Sequence, residues 1–207
     1  MNEFDIKAAE WDKNPMHWSR SEAIANKIIK LIPLKKTMTA LEYGAGTGIT
    51  SFLLKDYLKE ITLMDNSAEM VKIMNEKIRT TKVKNLKVLN FDLENTDYTG
   101  ESFDFIFSQM VLHHVKDTDS IIHKFSNLLK PGGYLAIADL YKEDGSFHGP
   151  GFTGHNGFDP DQLSSILKRN HFTDSSCIPC FMINKEISEN EKRNYEVFLM
   201  IAHLPVR

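Results

Sequence analysis

Short apolar runs alternate with amphipathic stretches along most of this chain. Residues 39–43, 61–65, 86–92, 103–108 and 134–140 are short and rich in β-branched, aromatic or aliphatic side chains, a pattern that predicts strands. Between them lie helical patterns. Residues 21–32 place Ala25, Ile28, Ile29 and Ile32 on one stripe and stop before Pro33. Residues 48–58, 67–79 and 117–129 follow as further helices. Asp159-Pro160-Asp161-Gln162 opens another, with Asp as N-cap, Pro at the first helical position and Gln three residues after the cap. Pro131-Gly132-Gly133 reads as a turn before the fifth strand.

Alternation of this kind predicts a parallel sheet with helices on both faces. The tail breaks the pattern. Residues 176–183 and 195–203 are strand-like and are joined by a polar segment, 184–194, with no crossover helix. Sequential strands so joined pair antiparallel. The expected fold is α/β: a three-layer, doubly wound, Rossmann-like seven-stranded sheet, mostly parallel, with a C-terminal antiparallel hairpin.

Composition narrows the function classes. The chain has 207 residues, 42% of them hydrophobic, enough for one domain with a real core. No apolar run reaches the ~18 residues of a membrane-spanning helix. The start, Met1-Asn2-Glu3-Phe4-Asp5, is polar and acidic, unlike a secretory leader. The two cysteines, Cys177 and Cys180, make no disulfide framework, and a cytoplasmic location is expected. On a strand, positions three apart face opposite ways, so these two sulfurs are expected to pack separately. The net charge is −3 and the basic residues are dispersed, which disfavours nucleic acid as a partner.

The chemistry centres on Leu41-Glu42-Tyr43-Gly44-Ala45-Gly46-Thr47-Gly48, which follows a strand and opens a helix. Ligands of open α/β sheets bind outside the carboxyl ends of the strands. Gly44 and Gly46 let the backbone turn tightly and lie against a ligand. The dinucleotide fingerprint G-x-G-x-x-G would need glycine at position 49, which is Ile49. Two acids, not one, sit at strand ends. Asp65 can accept hydrogen bonds from ribose hydroxyls, and Asp92 can accept one from the exocyclic amine of adenine.

Glu42–Gly48 here resembles the class I S-adenosylmethionine-dependent methyltransferases, in the branch of the ubiquinone and menaquinone biosynthesis enzymes (methyltransferase types 11 and 25). Asp65-Asn66-Ser67-Ala68-Glu69-Met70, Asn90-Phe91-Asp92-Leu93, Phe103 through Ser108 with Leu112-His113-His114-Val115, and Leu129-Lys130-Pro131-Gly132-Gly133 carry the resemblance further. It covers roughly residues 38 to 140. It implies an enzyme with S-adenosylmethionine as cofactor and S-adenosylhomocysteine as product. The backbone at Gly44 and Gly46, with Ala45 and Thr47, would hold the methionine moiety. Asp65 would take the ribose, Asp92 and Leu93 the adenine, and Asn66 the other adenine face. The Ser108 carbonyl would approach the methionine amino group. The implied division is a cap and first helix at 1–36, a cofactor core at 37–140, and a substrate-side loop, helix and hairpin at 141–207.

Methyl transfer from a sulfonium is an in-line displacement that needs chiefly alignment and exclusion of water. A base is needed only where the acceptor must lose a proton, and histidine suits that role. His113 and His114 follow the fourth strand, and the site candidate there is His114. Residues 141–158 form a long loop at the ligand edge, where Phe147, Phe152 and Phe158 can wall a pocket and His148 and His155 can orient or deprotonate an acceptor. His148, His155 and Asp139 match no standard zinc spacing, so no metal site is assigned. Trp11, Met16 and Trp18 can cap the site. The expected acceptor is a small molecule, because the chain is scarcely longer than a bare cofactor-binding domain and residues 108–111 lack an Asn/Asp-Pro-Pro-aromatic signature. A nicotinamide-dependent oxidoreductase and a non-catalytic cofactor-binding module are the competing readings. Oligomeric state is not readable from the sequence.

Overall fold

The computed structural model describes residues 3–188 and 191–206. Met1 and Asn2 of the polar start, Glu189 and Asn190 of the polar tail segment, and Arg207 lie outside the described residues. Seven strands form one sheet in the order β3-β2-β1-β4-β5-β7-β6. They are β1 (Thr39–Tyr43), β2 (Glu60–Asp65), β3 (Leu86–Asn90), β4 (Phe103–Gln109), β5 (Leu129–Leu140), β6 (Thr173–Ser188) and β7 (Glu191–His203). The first five pair parallel, and β7 runs antiparallel to both β5 and β6. The sheet therefore has the expected class, and chain direction reverses only at its C-terminal end.

Among the described residues six α-helices accompany it: α1 (Glu3–Trp11), α2 (Pro15–Leu31), α3 (Ile49–Leu54), α4 (Ala68–Thr81), α5 (Thr118–Leu128) and α6 (Pro160–Arg169). Two apolar clusters cover the two faces of the sheet. On β4, Ile106 joins one cluster, while Phe105 and Phe107 stack in the other at a centroid distance of 5.1 Å. Both rings are fully buried. Burial of a side chain that size stabilises by about 1.5–3 kcal/mol. No helix among the described residues is long and apolar enough to cross a membrane.

Several boundaries differ from the sequence pattern for identifiable reasons. Asn14 caps α2 by accepting from the Met16 amide at 3.0 Å, with Pro15 in the first turn, so the helix starts well before residue 21. The helix expected over 48–58 stops at Leu54 and tightens into a 3-10 turn over Lys55–Tyr57. Pro131-Gly132-Gly133 is a bulge inside β5, not a turn before it. Phe103 pairs Leu129 and Phe105 pairs Tyr134, while the Gly132 amide donates to the Leu204 carbonyl. Residues 184–188 and 191–194 of the polar segment continue the β6–β7 ribbon, with Asn184 opposite Asn194 and Lys185 opposite Arg193. Only one face of this ribbon is partly covered, and it is mostly polar (Lys185, Ile187, Arg193), so little apolar alternation marks it. Cys177 packs with one face cluster and Cys180 with the other, as their spacing predicted.

Candidate functional site

A cavity of about 840 Å³ opens at the carboxyl ends of β1, β2 and β4, where the strand order reverses about β1. Its floor is the turn after β1. Gly44 has φ +66°, and a Cβ there would lie 2.4 Å from Val111 Cγ2. Any other residue would need both a left-handed conformation and displacement of Val111. The Ala45 amide donates to the Met64 carbonyl and the Gly46 amide to Asp65 Oδ2 at 2.7 Å, so the β1 turn is tied to the end of β2.

Asp65 accepts from Ser67 N at 2.8 Å through its other oxygen. Burial raises its pKa, and the amide hydrogen bonds oppose that. A carboxylate has about four acceptor positions, so Asp65 keeps capacity for two hydroxyl donors. Asn66, Asp92 and Leu93 also line the cavity. Asp92 lies just past the end of β3 and caps the next turn, accepting from the Glu94 and Asn95 amides and, at 2.8 Å, from Asn95 Nδ2.

Two expected residues lie off the wall. Thr47 is buried and donates to Asp12 Oδ1 at 2.5 Å, in a knot completed by Lys77, which donates to Asp12 Oδ2 and to the Thr47 carbonyl. It anchors the N-terminal segment. Ser108 is inside β4, paired with Ile137, and Gln109, Met110 and Val111 form the wall there.

The sequence reading missed Arg20. This guanidinium is 5% exposed, lines the cavity, and has no hydrogen-bond partner for Nε; its Nη1 meets only the Met16 sulfur, at 3.8 Å. Desolvation lowers its pKa to about 10, while Asp139 opposes the shift. Gln109, also on the wall, donates to Ser21 Oγ and leaves Oε1 unpartnered. A buried cation and a buried carbonyl, both open to one cavity, fit a ligand carrying a carboxylate and an ammonium group. The available signal was the Asn14-Pro15 N-cap, which starts the helix early enough to place Arg20 in line with Ile24 and Ile28.

The roof is α1, whose helical pattern the sequence reading did not find. Ser67 donates to Asp5 at 2.6 Å, which docks α1 on α4. Phe4 and Trp11 reach the cavity from it. Trp18 instead donates to the Asp12 carbonyl, and Met16 packs in the core beneath Arg20, so of the three expected capping residues Trp11 alone faces the cavity.

Loop 141–158 packs against His114, which lines the cavity. His148 stacks on Phe152 at 3.9 Å and lies 5.0 Å from His113 and 5.2 Å from His114. Burial and neighbouring histidines hold His114 and His148 down to about 4. His113 is fully buried, with Nδ1 2.6 Å from Asp139 Oδ1 and its amide donating to Oδ2. His155 does not join them. Its Nε2 lies 2.9 Å from the Val115 carbonyl and its amide donates to the His113 carbonyl at 2.7 Å, so it latches the loop to the 3-10 turn Leu112–His114. A Cβ on Gly154 would lie 2.2 Å from the His113 carbonyl oxygen, so the loop's close seating there depends on glycine. Of the three candidate histidines, His114 and His148 are therefore brought together, with His113 beside them, and His155 is not.

Residues 34–178, more than half of the chain, match the family model described as a methyltransferase domain. An uncharacterised methyltransferase of Schizosaccharomyces pombe is 31% identical over 75% of this chain and 60% of its own length. An Aspergillus clavatus polyketide synthase-nonribosomal peptide synthetase is 29% identical over 77% of this chain, which spans only 4% of that protein. The chain thus covers less than two thirds of these relatives. Among solved structures, a chain from the complex of the Haloferax volcanii Trm112 methyltransferase activator with a methyltransferase has TM-score 0.78 at 18% identity, over 99% of both chains. The N-methyltransferase NodS of Bradyrhizobium japonicum, solved with S-adenosylhomocysteine, has TM-score 0.70 at 19% identity, over 95% of this chain and 91% of its own.

Proposed function

This chain belongs to the methyltransferase-domain family, the class I S-adenosylmethionine-dependent methyltransferases, and from that premise we propose that it moves a methyl group from S-adenosylmethionine to a small-molecule acceptor. The family sets aside the nicotinamide reading. What carries the proposal is one juxtaposition: the Gly44–Gly46 turn, the Asp65 carboxylate and the unpartnered, buried Arg20 all face one cavity.

Bound there, the cofactor supplies a methyl group already activated on a sulfonium. The protein's part is to bind, orient and exclude water. Arg20 takes the methionine carboxylate and Gln109 Oε1 the ammonium group. Asp65 accepts from the ribose hydroxyls while its other bonds hold it to Gly46 and Ser67. Asp92, Leu93 and Asn66 enclose the adenine. Phe4 and Trp11 of α1 shield the cavity from water. The acceptor enters beneath α1 against His114, His148 and Phe152. A pKa near 4 makes His114 and His148 weak bases at neutral pH, so their part is to orient the acceptor as neutral imidazoles rather than to deprotonate it.

Calorimetric titration with S-adenosylmethionine and S-adenosylhomocysteine, beside Asp65→Ala, tests the reading. The expected result is binding in the wild type, weakened at least tenfold in the variant. Folded wild-type protein that binds neither ligand would overturn it. Binding without turnover of any small acceptor would leave a cofactor-binding module.

A further inference from the structure

The histidine cluster has a chemistry of its own. His113 and His114 come from the 3-10 turn after β4, and His148 comes from the loop that crosses over it. One ligand atom from each lies within 4.8 Å of the other two. A tetrahedral zinc ion, with Zn–N bonds of ~2.0–2.1 Å, holds its ligand nitrogens about 3.3 Å apart. The three rings therefore need to draw in by about an ångström or somewhat more, which small side-chain rotations supply.

Two features separate this cluster from a chance meeting of imidazoles. The first is the hydrogen bond from His113 to Asp139. It occupies Nδ1 and, in the neutral ring, leaves Nε2 with its lone pair facing away from the carboxylate. Metal-ligating histidines are oriented in this way by a carboxylate behind the ring. The second is His148 Nε2, buried and without a partner. Such an atom costs about 1–3 kcal/mol unless something satisfies it. Phe147 and Phe152 pack against these rings and leave few competing donors. The nearby Lys185 ammonium is engaged with the Phe147 carbonyl, and Glu3 Oε1 stands 3.9 Å from His114 Nδ1.

We propose that His113, His114 and His148 together bind one divalent transition-metal ion, of the zinc type, at the acceptor side of the cavity. Three imidazoles suit a borderline dication and do not suit magnesium or calcium. Three protein ligands also leave one position open, as in catalytic rather than structural zinc sites. On the acceptor reading above, that position faces the acceptor, and the preferred acceptors carry a thiol, phenol or similar donor atom. The ion itself does not depend on that reading.

The test uses tag-free, chelator-treated protein titrated with Co2+, followed by its visible ligand-field absorption and by competition with Zn2+. One equivalent is expected to bind. His148→Ala and His114→Ala should each weaken binding at least tenfold, and Asp139→Asn by about 10–100-fold. His123→Ala, an exposed imidazole on α5 outside the cluster, should bind Co2+ like the wild type. Absence of stoichiometric uptake, or equal uptake by the His148→Ala and His123→Ala proteins, would overturn the site. S-adenosylhomocysteine is titrated into the same samples. Its binding without Co2+ uptake removes the metal site and leaves the cofactor reading. Co2+ uptake without S-adenosylhomocysteine binding does the reverse.

Discussion

The two ends of the cavity are built in different ways. At the cofactor end, the turn after β1 and the carboxylates after β2 and β3 are fixed by bonds within a few residues or between adjacent strands: Gly46 to Asp65, Ser67 to Asp65, Asn95 to Asp92. At the acceptor end, Phe4 and His114 line the cavity and His113, His148 and Phe152 stand behind them; these come from three segments far apart in sequence, held together by ring packing and by the His155 latch. The cofactor end depends on backbone geometry that few residues permit. The acceptor end depends on side chains that many sequences can replace. A cavity built this way can keep its cofactor while its acceptor changes.

The sharpest way to break that contrast is at Gly44. Gly44→Ala puts a methyl group 2.4 Å from Val111 Cγ2 at a left-handed φ. The conformation costs about 1–2 kcal/mol and the crowding about 1–3 kcal/mol more. We expect a folded protein with a lower melting temperature and no calorimetrically detectable binding of S-adenosylhomocysteine. Wild-type affinity in that variant would show that the close backbone approach is not used. Arg20→Met should separate affinity from stability. It removes a buried cation that makes no salt bridge among the described residues and feels Asp139 only at a distance, so the melting temperature should hold or rise. Affinity for S-adenosylhomocysteine should fall about 10- to 100-fold, the loss of a charge-assisted contact. Equal losses of stability and affinity would make Arg20 structural.

The same division decides what could be read from the sequence. Gly44, Gly46, Asp65 and Asp92 stand at fixed offsets from strand ends, and strand ends follow from apolar runs. The parallel pairing of the first five strands and the antiparallel tail followed from the same alternation and from the missing crossover helix, whereas the spatial order of the strands was not read. Arg20 was not legible, because its helix was read as starting one residue after it, although Asn14-Pro15 is a clear N-cap signal. α1 was missed because its apolar face, Phe4, Ala8 and Trp11, is short and meets solvent at Ile6. At the acceptor end, the sequence offered His148 and His155 alike as residues to orient or deprotonate an acceptor. The loop instead turns at its glycines, sending His148 to His113 and His155 to Val115. Such pairings are set by tertiary packing, which a one-dimensional period does not encode.

A third prediction tests stability at the cofactor end. Burial pushes the Glu42 carboxyl up to about 8, although Ser51 donates to it at 2.5 Å. In the unfolded chain the group titrates near 4.5. Between these values the folded protein holds a proton that the unfolded chain releases, so stability falls as pH rises. The fall should approach about 1.4 kcal/mol per pH unit across the middle of that window. Urea unfolding from pH 5 to 8 should show it, and Glu42→Gln should flatten the curve and be the more stable protein at pH 8. A slope that is unchanged in the variant would place the titrating group elsewhere.

The smallest effect falls at the latch. His155 bonds to the Val115 carbonyl and approaches Thr118 Oγ1 at 3.3 Å. Alanine there removes about one net hydrogen bond, or about 1 kcal/mol, and leaves the Gly44–Gly46 turn untouched. Because the loss is confined to loop 141–158, hydrogen exchange should quicken at its amides, the His155 amide among them, and stay unchanged in β1 and β2. S-adenosylhomocysteine affinity should stay within twofold of wild type, while KM for a methyl acceptor should rise more than kcat falls, because the residues that meet the acceptor are less well held. If exchange quickens equally in β1, the two ends share one cooperative unit. The freedom of the acceptor end to vary would then be lost with it.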